Sequence, residues 1–203
     1  MIRKLALGGM LALAAFLVAV TSVAAQEAAQ MSAEEQAMMQ KWAEYATPGE
    51  PHQRLASLAG DWTWTSKWWM APDAPPEESG GTTSSSMSMD GRYLMENYEG
   101  SMMGQPFKGH AITGYDNFRD EYVSSWIDNM GTGMMMSRGT YDPATKTLTM
   151  TGAYDDIMTG EKDKPMRGVT THVDENNMTY EMYITGPDGQ EFKTMEIRAT
   201  RGS

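Results

Sequence analysis

The sequence contains no cysteine among its 203 residues. Disulfide bonds are therefore excluded, so the folded chain depends on its core alone. The lack of a cysteine after the N-terminal apolar run also excludes a lipid-anchored lipoprotein. Basic residues are scarce relative to acidic ones, with 16 Lys and Arg against 27 Asp and Glu and a formal net charge of −11. Because a surface of that sign repels phosphate backbones and anionic membranes, we expect no nucleic-acid partner.

Leucine, isoleucine and valine are also sparse beyond the N-terminal apolar run, and in a highly charged chain such a composition warns of disorder. The chain holds instead 21 Met, 6 Trp and 9 Tyr, which supply the apolar area that the aliphatic residues do not. Methionine is unbranched and polarizable, and it fills irregular gaps. The composition therefore predicts either an ordinary core in which Met replaces Leu, or a Met-rich lining that adapts to several ligand shapes.

One long apolar run is present, from Leu5 to Val20, and it follows Arg3 and Lys4. Small residues then lead to Ala25. This order is typical of a secretory signal peptide, so we expect cleavage after Ala25 and export of a soluble protein to the bacterial periplasm or beyond. The run is shorter than the about 20 apolar residues of a spanning helix, which argues against a membrane anchor. The predicted domains are a signal peptide at 1–25, a tail and helix at 26–50, and one β-barrel domain at 51–203.

Two helical segments precede a long region in which polar and apolar residues alternate. Ser32 and Glu35 form a capping box at the start of a predicted helix that ends at Tyr45. Pro51 begins a second, shorter helix that ends at Leu58. From Gly60 onward the period is two, and turn signals separate the segments. The predicted strands are 60–70, 81–89, 92–100, 105–116, 120–129, 132–141, 146–153, 164–174, 178–185 and 190–200, with a polar and mobile link at 155–163.

Short strands joined in order by tight turns predict an all-β fold, an up-and-down antiparallel β-barrel of roughly ten strands with one or two N-terminal helices. Closure removes exposed strand edges, and a helix before the first strand can plug one end. Because ten strands enclose more space than an eight-stranded barrel filled by side chains, a ligand cavity is expected.

Alternation of side chains along each strand assigns an inner face. Small residues at Gly109, Ala111 and Ser124 leave room inside, and an apolar wall with a few polar groups is typical of small-molecule pockets. In the sixth strand, Met134 and Met136 are predicted to face inward. A filled core without a ligand is the alternative. The predicted pocket-lining residues are Trp62, Trp64, Tyr115, Trp126 and Met134, with His110 and Asp128 as polar contacts.

Several segments carry a resemblance to known barrels. The stretch from His52 to Trp62, HQRLASLAGDW, resembles the opening of lipocalin-like and nitrobindin-like barrels. Together with GRYL at 91–94, GYDN at 114–117, YVSSWIDNMGTG at 122–133 and MEIRATR at 195–201, it resembles the bacterial family called domain of unknown function 1579. The resemblance covers about residues 50–201. It implies a calycin-type barrel and implies no catalytic residue, because that family has none assigned.

Cofactor and enzyme functions are weaker interpretations of the same residues. Thioethers such as those of Met87 and Met89 share a face and select Cu(I). Nitrobindin-type barrels hold haem through a histidine, and His110 and His172 lie in predicted strands. Four acids could pair for acid–base catalysis, which needs a perturbed pKa and a positioned partner: Glu96, Glu99, Asp116 and Asp128. No nucleophile elbow, phosphate-binding glycine loop or zinc spacing is present. We therefore predict no catalytic residue and no cofactor, with haem, Cu(I) and enzymatic activity left as alternatives.

The combined observations favour non-catalytic binding of a small, largely apolar ligand inside the barrel. The alternative is a structural or protein-interaction module of the bacterial envelope. An internal hollow would favour the first function, whereas a large exposed aromatic patch on the outer wall would favour the second.

Overall fold

The computed structural model describes residues 31–186 and 188–202. The predicted signal peptide and its cleavage site lie outside the described residues. The described part of the chain divides after Thr47 into two compact units. None of its helices has the length and apolar character that crossing a membrane requires.

Among the described residues, the first unit contains helix α1 (Ala33–Ala46). The predicted capping box is present, because the Glu35 N–H donates to Ser32 Oγ at 3.2 Å and the Ser32 N–H donates to Glu35 Oε2 at 2.8 Å. One apolar stripe of this helix contains Trp42 and Tyr45, whose rings meet edge to face at 6.0 Å.

The second unit is a closed antiparallel barrel of ten strands, which confirms the predicted fold class. Each strand pairs with its neighbours in the chain, and the first strand pairs with the last, so that Trp64 lies opposite both Gly81 and Ala199. The elements are α2 (Glu50–Ala56), β1 (Gly60–Trp68), β2 (Glu77–Ser88), β3 (Tyr93–Met102), β4 (Gln105–Asp116), β5 (Glu121–Asp128), β6 (Met135–Asp142), β7 (Thr147–Asp156), β8 (Glu161–His172), β9 (Asn177–Thr185) and β10 (Glu191–Arg201).

The barrel has a helix end and a loop end. Helix α2 contacts β2, β3 and β4 at the helix end, where Leu55 is only 2% exposed and packs with Leu94, Tyr122 and Met150. Arg54 fixes the helix there, since its Nη1 donates to the Tyr122 hydroxyl at 2.8 Å. The loop end carries the β1–β2, β3–β4, β5–β6, β7–β8 and β9–β10 connections.

The predicted mobile link at 155–163 is wrong. Strands β7 and β8 continue to Asp156 and from Glu161, leaving a four-residue turn that ends with Gly160 at a φ of 77°. Lys164 explains the extension, because its Nζ contacts Asp156 at 3.1 Å and Glu161 at 2.8 Å. A cation between the two strands offsets the repulsion of the acids that made this segment look like a solvated loop.

Candidate ligand-binding site

Three of the predicted pocket residues lie in one cluster on the inner face. Trp62 and Trp64 are 3% and 5% exposed and pack with Phe107 and Ala199, and Trp126 lies against the same cluster. The rings of Phe107 and Trp126 stack with centroids 6.3 Å apart. Asp128 is beside them, accepting a hydrogen bond from Trp126 Nε1 at 2.8 Å.

Tyr115 faces inward as predicted but lies elsewhere. It belongs to the cluster around Leu55 at the helix end. Its ring meets those of Tyr122 and His52 edge to face, at 5.0 Å and 5.9 Å. Tyr115 therefore packs near the helix plug, away from the tryptophan cluster.

His110 and Met134 do not face the interior. His110 follows the buried Gly109 and precedes the buried Ala111, so it is on the outer wall, where its Nδ1 lies 2.9 Å from Asn97 Oδ1. Met134 is 64% exposed and precedes β6. Neither His110 nor Met134 therefore lines the interior of the barrel.

The predicted inner face of the sixth strand is also wrong. Met136 is 55% exposed, whereas its neighbours Met135 and Ser137 are partly buried. The register explains this, because Ser137 pairs with the inward-facing Ser124 and Gly139 with the buried Tyr122. The chain is outside the strands from residue 129 to residue 134, so the alternation restarts where β6 begins at Met135.

Inward-facing glycines give the aromatic rings room to lie against the barrel wall. A Cβ at Gly109 would be 2.5 Å from the Trp126 ring, and one at Gly100 would be 2.9 Å from Trp64. A Cβ at Gly168 would be 2.8 Å from the Tyr180 hydroxyl. A residue larger than glycine at any of these three positions would therefore clash with the ring that lies over it.

An acid lies at the centre of this interior. Glu96 shares the inner face of β3 with Leu94, and it pairs across the sheet with Ala111. Burial raises the pKa of its carboxyl to about 7. The hydrogen bond that the Tyr98 hydroxyl donates at 3.1 Å lowers this pKa, but by less than burial raises it. Glu96 nevertheless keeps accessible surface. Because Glu96 faces inward and keeps accessible surface, there is open space beside it inside the barrel.

Two tyrosines and a tryptophan complete the wall around this acid. Tyr98 meets Trp126 edge to face at 5.2 Å. Tyr180 belongs to β9. The pKa of Tyr98 is raised first by burial and then by the nearby Glu96, and the Tyr180 hydroxyl is close enough to raise it further. Burial alone raises the pKa of Tyr180 to about 12. We call the space bordered by Glu96, Tyr98, Trp126 and Tyr180 the Glu96 hollow.

Further open space exists at both ends. A cleft of about 760 Å³ lies at the helix end and includes Arg54, Tyr141, His172 and Arg201. His172 Nε2 is buried there and has no hydrogen-bond partner within residues 31–186 and 188–202, and burial lowers the pKa of this imidazole. A second cleft, of about 470 Å³, lies at the loop end beside Trp68 and Met102. Both barrel ends are thus indented.

The methionines suggested for Cu(I) diverge. Met87 packs against the inner cluster at the helix end, whereas Met89 leaves β2 with a φ of 51° and is 68% exposed. The described residues contain no group of three His, Asp or Glu placed to hold a metal ion.

The acidic pairs considered for catalysis are separated. Glu96 faces inward, whereas Glu99 is on the outer wall with Lys108 at 3.0 Å. Asp116 accepts the Phe118 N–H in the β4–β5 turn at 2.9 Å, as expected of a structural turn residue. Sequence reasoning considered Glu96 only as one of these acids, although its spacing of two from Leu94 and Tyr98 placed it on an inner face.

Comparison with known proteins agrees with this architecture. No curated protein matches the chain. The crystal structure of Rv2717c from M. tuberculosis matches with a TM-score of 0.60 at 13% sequence identity, covering 77% of this chain and 100% of that chain. At that identity the likeness shows the fold alone. A family described as "Protein of unknown function (DUF1579)" matches residues 47–201. The chain therefore belongs to the DUF1579 family.

Proposed function

We propose that the protein binds a small, largely apolar molecule in the Glu96 hollow, without catalysing a reaction. The observation that carries this proposal is the Glu96 carboxyl, which is deep inside the barrel and still accessible. Around it are rings of Tyr98, Trp126 and Tyr180, which offer apolar surface and hydroxyl groups. Such a combination of an apolar wall with few polar groups is typical of ligand pockets.

The hydrogen-bonding capacity of the hollow supports the same function. The Tyr180 hydroxyl makes no hydrogen bond to any residue in the described ranges, and burial alone accounts for its raised pKa. Thr113 and Ser124 place a hydroxyl pair, 3.1 Å apart, on the same inner face. Buried polar groups are normally hydrogen-bonded. A ligand with one polar group would give the Tyr180 hydroxyl the partner that the barrel does not supply.

Uptake of the apolar fluorophore N-phenyl-1-naphthylamine tests this proposal. We expect enhanced fluorescence at a stoichiometry of one per chain. Ser124→Phe fills the inner face and should abolish the uptake, whereas Ser125→Phe, its neighbour on the outer face opposite Met136, should preserve it. No uptake by the folded wild type, or equal uptake by both variants, would contradict the proposal.

The same proposal places the mature protein in the bacterial periplasm or outside the cell. Its support is the sequence pattern from Arg3 to Ala25. The intact mass of the protein from its own host should correspond to a chain that begins at Gln26. A mass that includes residues 1–25 would overturn the export assignment without affecting the hollow.

A second candidate function, an interaction module, is favoured by the loop end. Six apolar side chains in four loops there are at least 48% exposed, and clustered apolar groups on a surface mark interaction sites. They are Met70, Met103, Met130, Met134, Ile157 and Met158. If this function holds, Ile157→Ser with Met158→Ser should release a partner that co-purifies with the wild type. Phe118→Ser, a change at the helix end, should retain it.

A further inference from the structure

Glu96 is a buried acid without a cation. No Lys, Arg or His of the described residues pairs with it, and its contact is the hydrogen bond from Tyr98. Its cross-strand neighbours are Ser85 and Ala111, neither of which carries a charge. A buried carboxylate normally has a partner charge or loses its own. Glu96 therefore either holds a proton or, when ionised at higher pH, carries a negative charge that a cation from outside the chain can balance.

The inward-facing cations at the two ends are already engaged. At the helix end, Arg54 donates to Glu50 and to the Tyr122 hydroxyl. At the loop end, Lys164 lies between Asp156 and Glu161. Arg201, also at the helix end, donates to the backbone carbonyl oxygens of Ala59 and Ser57. Moving any of these cations to Glu96 would leave the groups that it now satisfies without a partner. The balancing charge is thus better supplied by a ligand.

The walls of the hollow suit an organic cation. The rings of Tyr98, Trp126 and Tyr180 carry negative electrostatic potential on their faces, which attracts ammonium groups. The Tyr180 hydroxyl can accept a hydrogen bond as well as donate one. A ligand carboxylate, in contrast, would add a second negative charge beside Glu96, and two close carboxylates disfavour each other's ionised form. The charge and the walls together select against fatty-acid-like ligands.

We infer that the ligand of the Glu96 hollow is an amphipathic amine, with an apolar body and one protonated amino group that donates hydrogen bonds to the Glu96 carboxylate and the Tyr180 hydroxyl. This inference rests on the proposed function, since it names the class of ligand for the same hollow. The apolar body would extend along the ring and methionine surfaces of the inner wall, where shape tolerance is high.

Competition for bound N-phenyl-1-naphthylamine among three ligands of equal chain length tests the inference. Octylamine, octanol and octanoate differ only in the head group. At pH 8 and 0.15 M salt, a charge-assisted hydrogen bond should make octylamine about 10- to 100-fold more effective than octanol, with octanoate the weakest. Octanol as effective as octylamine, or octanoate the strongest, would overturn the amine assignment.

Two variants separate the buried acid from the acidic surface. Glu96→Gln keeps the acceptor for Tyr98 but removes the charge, so octylamine should lose its advantage over octanol. Glu99→Gln removes one charge from the outer wall, where Glu99 is 66% exposed, and should retain the full preference. Loss of preference in Glu99→Gln instead would show surface attraction and contradict the inference.

The outcomes of these experiments distinguish a failure of the amine assignment from a failure of the proposed function. Bound fluorophore with no preference for octylamine rejects the amine assignment and leaves the proposed function standing. Absence of fluorophore uptake rejects the proposed function itself. Because the comparison of the three head groups uses the wild-type protein alone, the inference stays testable even if Glu96→Gln does not fold.

Discussion

The buried charge of Glu96 predicts an unusual pH dependence of stability. Burial raises the pKa of this carboxyl from 4.5 to about 7. The folded state therefore holds the proton more tightly than the unfolded state does. Protonation stabilises the fold at low pH, and that contribution is lost as pH rises from the unfolded value near 4.5 through the folded value near 7. By pH 8 the ionised carboxyl costs about 3 kcal/mol of unfolding free energy.

Glutamine at this position cannot ionise, and it retains an oxygen that accepts from Tyr98. Glu96→Gln should therefore be more stable than wild type by about 3 kcal/mol at pH 8 and by less than about 1 kcal/mol at pH 5. Urea unfolding followed by tryptophan fluorescence at both pH values measures the difference. The other acids are common to both proteins, so their effects cancel.

Glu99→Gln is the matched control for this experiment, because Glu99 is on the same strand but exposed on the outer wall. Its difference from wild type should stay within about 0.5 kcal/mol at both pH values. The reasoning is refuted if Glu96→Gln is no more stable than wild type at pH 8. An equal gain in Glu99→Gln would refute it too, since relief of overall surface repulsion would then suffice.

The remaining predictions concern packing. Gly109→Ala places a Cβ 2.5 Å from the Trp126 ring and should lower the unfolding free energy, measured with urea, by about 1–3 kcal/mol. Gly133→Ala, with nothing within 4 Å of the new Cβ, should change it little. Equal effects would contradict the close packing of the Trp126 ring over Gly109. Leu55→Ala should lower the unfolding free energy by about 2–5 kcal/mol, because the residue is 2% exposed. Ile157→Ala, at 90% exposed, should shift it by less than about 0.5 kcal/mol, and similar losses for both would show that α2 does not seal the barrel.

Most of the fold was predictable because a half-buried strand leaves a period-two pattern in the sequence. Trp62, Trp64 and Ser66 alternate with polar residues and are all buried. The capping box at Ser32 and the turns between strands are local signals of the same kind. Closure of β1 on β10 is a consequence of strand number and twist, and the resemblance to known barrels supported it.

Inner and outer faces were harder to predict where local conformation resets the alternation. Strand β6 begins at Met135 rather than at residue 132, and its register with β5 reverses the expected orientation of Met136. His110 was predicted in the correct strand but on the wrong face. Its polarity suggested a ligand contact, whereas its spacing of two from Ile112 indicated the outer wall. Parity was the more reliable signal for His110.

The central acid was missed for a different reason. In a chain with 27 acidic residues, no single carboxylate stands out, and the pattern of one strand does not show that Tyr180 of β9 lies near Tyr98, the hydrogen-bond partner of Glu96. Strands β3 and β9 are far apart in the sequence, and only closure of the barrel makes their inner faces line the same interior. The parity of Glu96 with Leu94 was the available local signal, and it indicates an inner face without indicating a hollow.

The proposed function depends most on an occupied hollow inside this barrel. Native mass spectrometry of the protein purified from its own host measures occupancy directly. We predict one small-molecule adduct per chain in the wild type and its loss in Ser124→Phe. Spectra of the bare polypeptide alone, both as purified and after incubation with octylamine and octanol, would contradict it.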